Sequence, residues 1–308
     1  MSALKGKGLA LGRLLRVSLA ASAVADVICG LAIGGAGRFP SVFTLVAGVA
    51  ASAGVYHGAM ALNDWADAEH DRATRPERPI PSGSIPRDLA FAIGMVLVLL
   101  GVVAGAVASP AHWPWMLVVA CCAVGYDLVG RGPIRGPLLL GLCRAGNLGF
   151  GMAIAGGLEQ RGSGLWAMPA IYFLYVVCVS LGGRLEDGES SANVAVLGPA
   201  TLGSAGVLLA ATPAIATVFQ TVPVPGGPFL AWPLALAAAY GLVRRAAGLR
   251  EARQVGPVMG VALRRLLILT AVFALMAGGP GPAGWWAAAL ALAGFPVSHA
   301  LRRAFPPS

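Results

Sequence analysis

Apolar runs long enough to cross a membrane recur along the whole of this chain, at 17–37, 41–62, 89–109, 112–129, 137–157, 165–182, 195–219, 229–247, 262–279 and 284–301. Each holds roughly the 18 or more residues that a helix needs to traverse a hydrocarbon core about 30 Å thick, and each is bounded by Arg, Pro or Gly. With 57% hydrophobic and 11% charged residues and a mean hydropathy of +0.77, nothing is left over for a water-soluble domain. The expectation is one all-α unit over 1–308, a polytopic membrane protein of nine or ten transmembrane helices.

A net charge of +9 could suggest nucleic acid as a partner, but the positions of the basic residues argue for topology instead. With the N-terminus inside, all but three of the 22 Lys and Arg fall on the cytoplasmic side; Arg38 and Arg161 face out, and Arg144 lies within a run. This distribution predicts a multi-pass protein of the cell membrane with its N-terminus and charged loops in the cytoplasm. The basic segment before the first run resembles a signal-peptide flank. The run itself is long and contains Asp26, so it reads as a retained helix. The five cysteines, all inside apolar runs and without metal-type spacing, read as packing residues.

Against this apolar background the stretch 61–85, ALNDWADAEHDRATRPERPIPSGSI, holds five of the chain's 13 acidic residues together with three arginines. If the second run stays helical through Asp71, then Asp64, Asp67 and Asp71 follow i, i+3, i+7 spacing and share one face. Three like charges on one face repel. A hard divalent cation such as Mg²⁺ would turn that repulsion into coordination while keeping positions for substrate phosphates and water, and Asn63 adds a neutral amide oxygen. The plainer alternative is a solvated helix end neutralised by Arg72, Arg75 and Arg78. Pro76, Pro79 and Pro81 stop the helix and stiffen the loop. An ordered basic loop folded back beside an acidic face suits a metal-bound polyanion.

Together, Asn63-Asp64-x-x-Asp67-x-x-x-Asp71 and Arg75-Pro76-x-Arg78-Pro79-x-Pro81-Ser82-Gly83 resemble the first aspartate-rich motif of the UbiA family of integral-membrane prenyltransferases. The likeness implies a helical bundle around a lateral cavity. It also implies Mg²⁺-dependent transfer of a prenyl group from an isoprenyl diphosphate to a lipophilic or aromatic acceptor within the bilayer. On that resemblance Asn63, Asp64, Asp67 and Asp71 are the metal site, with the three aspartates catalytic. Arg72, Arg78, Arg131 and Arg184 are then contacts for the diphosphate. Where the family often carries Tyr and, four residues on, Lys, this chain has Tyr126 and Gly130, with Arg131 one position further. An interfacial Tyr and an ordinary cytoplasmic Arg form the competing reading.

Arg144 and Asn147, about one turn apart in the run 137–157, are expected to face the cavity, because a charge near mid-bilayer costs about 2.5–3.5 kcal/mol unless it finds a partner or water. Asp26 poses the same problem, so an Asp26–Arg144 ion pair is a second hypothesis. His57, on the face of Asp64, reads as a hydrogen-bonded packing residue. The family's second aspartate-rich motif is altered to Arg184-Leu185-Glu186-Asp187-Gly188-Glu189. Glu186 with Asp187 and Glu189 could form a second metal site of different geometry. The Arg184-x-Glu186 form and the run Gly141-Leu142-Cys143-Arg144-x-x-Asn147 are most similar to the EboC-like branch. The alternatives to transfer are a non-catalytic binding or export component for a lipophilic metabolite, or an intramembrane terpene cyclase.

Overall fold

The computed structural model describes residues 2–129, 132–156, 163–186 and 190–305. They form thirteen α-helices joined by short turns, and no strand occurs among them: α1 Ser2–Leu14, α2 Ala21–Gly34, α3 Val42–Ala66, α4 Ala68–Thr74, α5 Arg87–Ala108, α6 Trp113–Leu128, α7 Arg135–Ile154, α8 Ala167–Gly183, α9 Ser191–Gly198, α10 Ser204–Val218, α11 Gly227–Ala247, α12 Val255–Ala277 and α13 Ala283–Ala304. The all-helical class read from the sequence holds.

Each of the ten apolar runs coincides with one helix, except 195–219, where α9 and α10 are joined through a π-helical turn, Pro199–Gly203. The missing N–H of Pro199 favours such a local rewinding. Among the described residues six stretches are long and apolar enough to cross a membrane: Val42–Ala66, Arg87–Ala108, Arg135–Ile154, Gly164–Glu186, Ser191–Val218 and Ala252–Ala277, while α2 and α6 are apolar but shorter. The run beginning at 17 is trimmed to α2 because Arg16 takes a left-handed conformation (φ 47°) and a 3-10 turn, Val17–Leu19, follows it. On α5, Val96, Leu99, Leu100 and Val103 are exposed. A row of this kind is costly in water and ordinary against lipid.

Lipid gives helices no hydrophobic reason to associate, so close approach must come from small residues. At Gly30 of α2 an added Cβ would lie 2.2 Å from the Leu148 carbonyl oxygen of α7, and at Gly151 of α7 one would lie 2.4 Å from the Val27 carbonyl oxygen. The largest apolar core draws on α2, α7, α8 and α10 to α13. A second joins α3, α5 and α6. At the end of the bundle opposite the acidic loop, three backbone bonds tie distant loops: Ala283 N–H to Gly37 O (3.1 Å), Gly279 N–H to Val222 O (2.8 Å) and Val224 N–H to Leu275 O (3.1 Å).

Candidate active site

α3 is 25 residues long, about 37 Å at 1.5 Å per residue, so its last turn reaches past a hydrocarbon core of about 30 Å. Asn63 and Asp64 occupy that turn. The helix breaks at Asp67, which serves as C-cap of α3 and N-cap of α4. The break is slight, because the backbone bonds Asp67 N–H to Asn63 O and Asp71 N–H to Asp67 O continue the helical pattern. α4 then stops before Pro76, with Arg75 forced out of the helical region (φ −145°, ψ 63°), as a residue before proline must be.

The loop 75–86 is held from below. Ile80 and Ile85 are buried in a small apolar cluster with Leu14, Ala61, Ala68 and Ala90, and Ser82 N–H donates to Arg78 O while Ile85 N–H donates to Pro79 O. This anchoring buries Arg78 over the acidic face. Its Nη1 donates to Asp71 Oδ2 at 2.7 Å and lies 3.7 Å from Asp64 Oδ1.

From the other side comes Arg16. Its Nη2 donates to both Asn63 Oδ1 and Asp64 Oδ1 at 2.9 Å. Asn63 passes the network on, donating through Nδ2 to Asp127 Oδ1 of α6 at 2.8 Å. The result is one chain of polar contacts, Asp127–Asn63–Arg16–Asp64–Arg78–Asp71, in which the three carboxylates are buried. Arg75 stands 3.9 Å from the second oxygen of Asp71.

Of the three carboxylates expected on one face, Asp64 and Asp71 enter this network, while Asp67 stands half-buried at the helix break and Asp127 of α6 supplies the third buried acid. Among the described residues no three His, Cys, Asp or Glu side chains gather around one point, because guanidinium groups rather than mutual proximity offset the repulsion between Asp64 and Asp71. The donor set still fits a hard cation in kind. Asp71 Oδ1 is a buried carboxylate oxygen without a hydrogen-bond donor, and Asp64, Asn63 and Asp127 supply further oxygens around the same network.

Other expected residues fall differently. Arg72 points away from the network and pairs with Glu69 at 2.9 Å on the exposed face of α4, as its position next to inward-facing Asp71 requires. Tyr126 is half-buried on α6 beside Asp127, whereas Arg131, Asp187 and Glu189 lie outside the described residues. Arg184 and Glu186 are exposed on a 3-10 turn, with the Glu186 carboxylate against Gly256 at the start of α12. Arg144 forms the ion pair with Asp26 (3.1 Å), and Tyr172 bridges them, donating its O–H to Asp26 Oδ1 at 2.6 Å and accepting from Arg144 at 3.0 Å. Asn147 donates to the Ala23 carbonyl at 2.9 Å and so ties α7 to α2. His57 Nδ1 lies 2.7 Å from the Leu15 carbonyl oxygen, a packing contact.

Two residues of the network escaped the sequence reading. Arg16 was absorbed into the inside-positive tally. Asp127 was passed over, although an acid at the end of an otherwise apolar run is a signal in itself.

An acidic helix end clamped by arginines, at one end of a bundle of membrane-length helices, marks a polytopic membrane protein with a buried network of carboxylates and guanidinium groups. The model of the UbiA prenyltransferase family matches residues 23–263, and the chain belongs to that family. Among proteins of known role, it is 33% identical over 105 residues to a digeranylgeranylglyceryl phosphate synthase of Ignicoccus hospitalis, covering 34% of this chain and 33% of the relative. To the synthase of the same name from Methanoregula boonei it is 33% identical over 129 residues, covering 42% of this chain and 46% of the relative. The matches thus span less than half the length of these relatives. In fold it is similar to a UbiA homolog from Archaeoglobus fulgidus solved with GPP and Mg²⁺, with a TM-score of 0.61, 15% identity, and coverage of 86% of this chain and 99% of that one.

Proposed function

We propose that this chain, acting as a single transmembrane domain over 1–308, transfers a prenyl group from an isoprenyl diphosphate to a lipophilic or aromatic acceptor taken from the bilayer. The reaction runs at the cytoplasmic end of the bundle. The observation that carries the reading is the bracketing of Asp64 and Asp71 by Arg16 and Arg78 at the end of a membrane-length helix. Membership of the UbiA family and the fold shared with a homolog solved with GPP and Mg²⁺ support it. The run Gly141-Leu142-Cys143-Arg144-x-x-Asn147 and Arg184-x-Glu186 carry the finer placement in the EboC-like branch, which is part of the proposal.

Asn63, Asp64, Asp67 and Asp71 would hold Mg²⁺, which supplies Lewis-acid stabilisation of charge building on the departing diphosphate. Arg16 and Arg78 now stand on the carboxylates. With the carboxylates engaged, their guanidinium forks are free to turn to phosphate oxygens, whose geometry they match bidentately. Arg131 and Arg184 would add cationic contacts from neighbouring loops. Asn63, held by Arg16 and Asp127 together, fixes the rotamer of the last turn of α3, so the carboxylate beside it meets the substrate pre-oriented. The apolar surroundings of the bundle keep water from the allylic carbon while its bond to oxygen breaks.

The test is diphosphate release by the purified protein in lipid, with Mg²⁺ and a panel of isoprenyl diphosphates, comparing wild type with Asp64→Ala and Asp67→Ala. Mg²⁺-dependent release lost in both variants is the expected result. A folded protein that releases none, with membrane extract supplying acceptors, would overturn the reading.

A further inference from the structure

A second basic site lies away from the acidic network, in a cavity of about 450 Å³ between α12 and α13. Arg264 and Arg302 line it with His299, and Leu267, Phe295 and Pro296 form its apolar wall. Among the described residues neither arginine forms an ion pair with a carboxylate, and Arg302 Nε is buried with no hydrogen-bond partner. Pro296 stands inside α13, where its ring displaces the turn before it and removes one helical hydrogen bond, loosening the helix beside the cavity.

The location fixes what could occupy it. Ser298 Oγ donates to the Ser18 carbonyl at 2.6 Å, and Gly12 of α1 faces the ring of Phe305. The cavity therefore lies at the same end of the bundle as Arg16, at headgroup level. One end of the cavity is cationic and the other apolar, the two surfaces that an anionic lipid presents in complement: a phosphate at the interface and an acyl chain running along the helices. Cationic side chains near helix ends can also snorkel to any headgroup. Here, however, Arg264, His299 and Arg302 from two helices line one cavity, Arg264 and His299 at its exposed edge and Arg302 half-buried, while the neighbouring Arg303 does not line it.

We propose that the α12–α13 cavity binds the phosphate of an anionic lipid headgroup, gripped by Arg264 and Arg302 with His299 beside them. The site is distinct from the acidic network and does not depend on the prenyl-transfer reading. Its occupant would brace α13 against the segment carrying Arg16 through the Ser298–Ser18 contact.

The full-length protein in detergent is titrated with phosphatidylglycerol or with phosphatidylcholine of the same acyl chains, and bound lipid is counted by native mass spectrometry. Wild type is expected to prefer phosphatidylglycerol. Arg264→Gln/Arg302→Gln should weaken that binding by on the order of tenfold or more, two interfacial cations being lost, whereas Arg303→Gln, removing the same charge one residue away, should not. If the double variant binds phosphatidylglycerol as wild type does, or Arg303→Gln weakens it equally, the proposal fails. Displacement of the lipid by millimolar inorganic phosphate would overturn the lipid assignment in favour of a free-phosphate site. Should the double variant not fold, Arg302→Gln alone, in the last turn of α13, carries the same comparison with Arg303→Gln.

Discussion

Arg16 and Asp64, 48 positions apart, are joined by a 2.9 Å ion pair that also takes in the Asn63 amide oxygen. One guanidinium thus holds both residues that open the acidic motif, and it arrives from a turn in the left-handed region, φ 47°. A non-glycine residue there is strained, and such strain persists only where surrounding contacts impose it.

Replacing Arg16 by alanine is expected to lower kcat/KM for the isoprenyl diphosphate by roughly 10- to 100-fold, the worth of one or two charge-assisted hydrogen bonds. Arg16→Gly removes the same guanidinium while relieving the backbone strain, so it should fold at least as well and be equally impaired. Steady-state kinetics together with thermal unfolding of the two variants check this. Full activity in Arg16→Gly would reduce the contact to a packing role.

Arg78→Ala leaves the Asp71 carboxylate, 1% exposed, without its main counter-charge. Breaking a buried pair from one side costs about 3–5 kcal/mol, expected as a lower unfolding midpoint in a fixed lipid or detergent. Adding Asp71→Asn to Arg78→Ala should recover part of the loss, because an amide does not require a counter-charge. A double variant no more stable than Arg78→Ala would refute the coupling.

The Asp26–Tyr172–Arg144 triad predicts a graded series. Tyr172→Phe deletes only the bridging hydroxyl and should cost about 1.5–3 kcal/mol, the range for hydrogen bonds to charged groups. Asp26→Asn strands the Arg144 charge within the bundle and should cost more, about 3–5 kcal/mol. Equal stability of Asp26→Asn and wild type would exclude the triad as a structural tie.

Gly30→Leu should abolish the α2–α7 contact, since even a Cβ meets the Leu148 carbonyl oxygen at 2.2 Å. A backbone atom cannot move aside as a flexible side chain does. Loss of monodisperse protein on size-exclusion chromatography is the expected readout, whereas Gly125→Ala, where a Cβ meets nothing within 4 Å, should be tolerated.

The helices were legible because lipid imposes a length and an apolarity that composition alone reveals. The acidic motif was legible because charge in such a chain is rare and its spacing is local. Contacts between distant segments were not. Nothing in the sequence near Arg16 distinguishes it from the arginines that set topology, and its partner lies 48 residues away. Arg72, expected as a diphosphate contact on the resemblance alone, is turned toward Glu69, because a helix sets consecutive residues about 100° apart and Asp71 faces inward. The Asp26–Arg144 pair was readable as a need for partners, while Tyr172 as the bridge between them required the fold.

The loops at the end opposite the acidic network are laced by three backbone bonds, one of them to the carbonyl of Gly37, which sits at φ 93° with Gly281 N 2.2 Å from where a Cβ would stand. That end behaves as a rivet. Helices fastened at one end part most readily at the other, like the legs of a pair of tweezers, so any opening of the bundle is expected among Arg16, Asp64 and Arg78, where ion pairs rather than interlocked backbone hold the tips together.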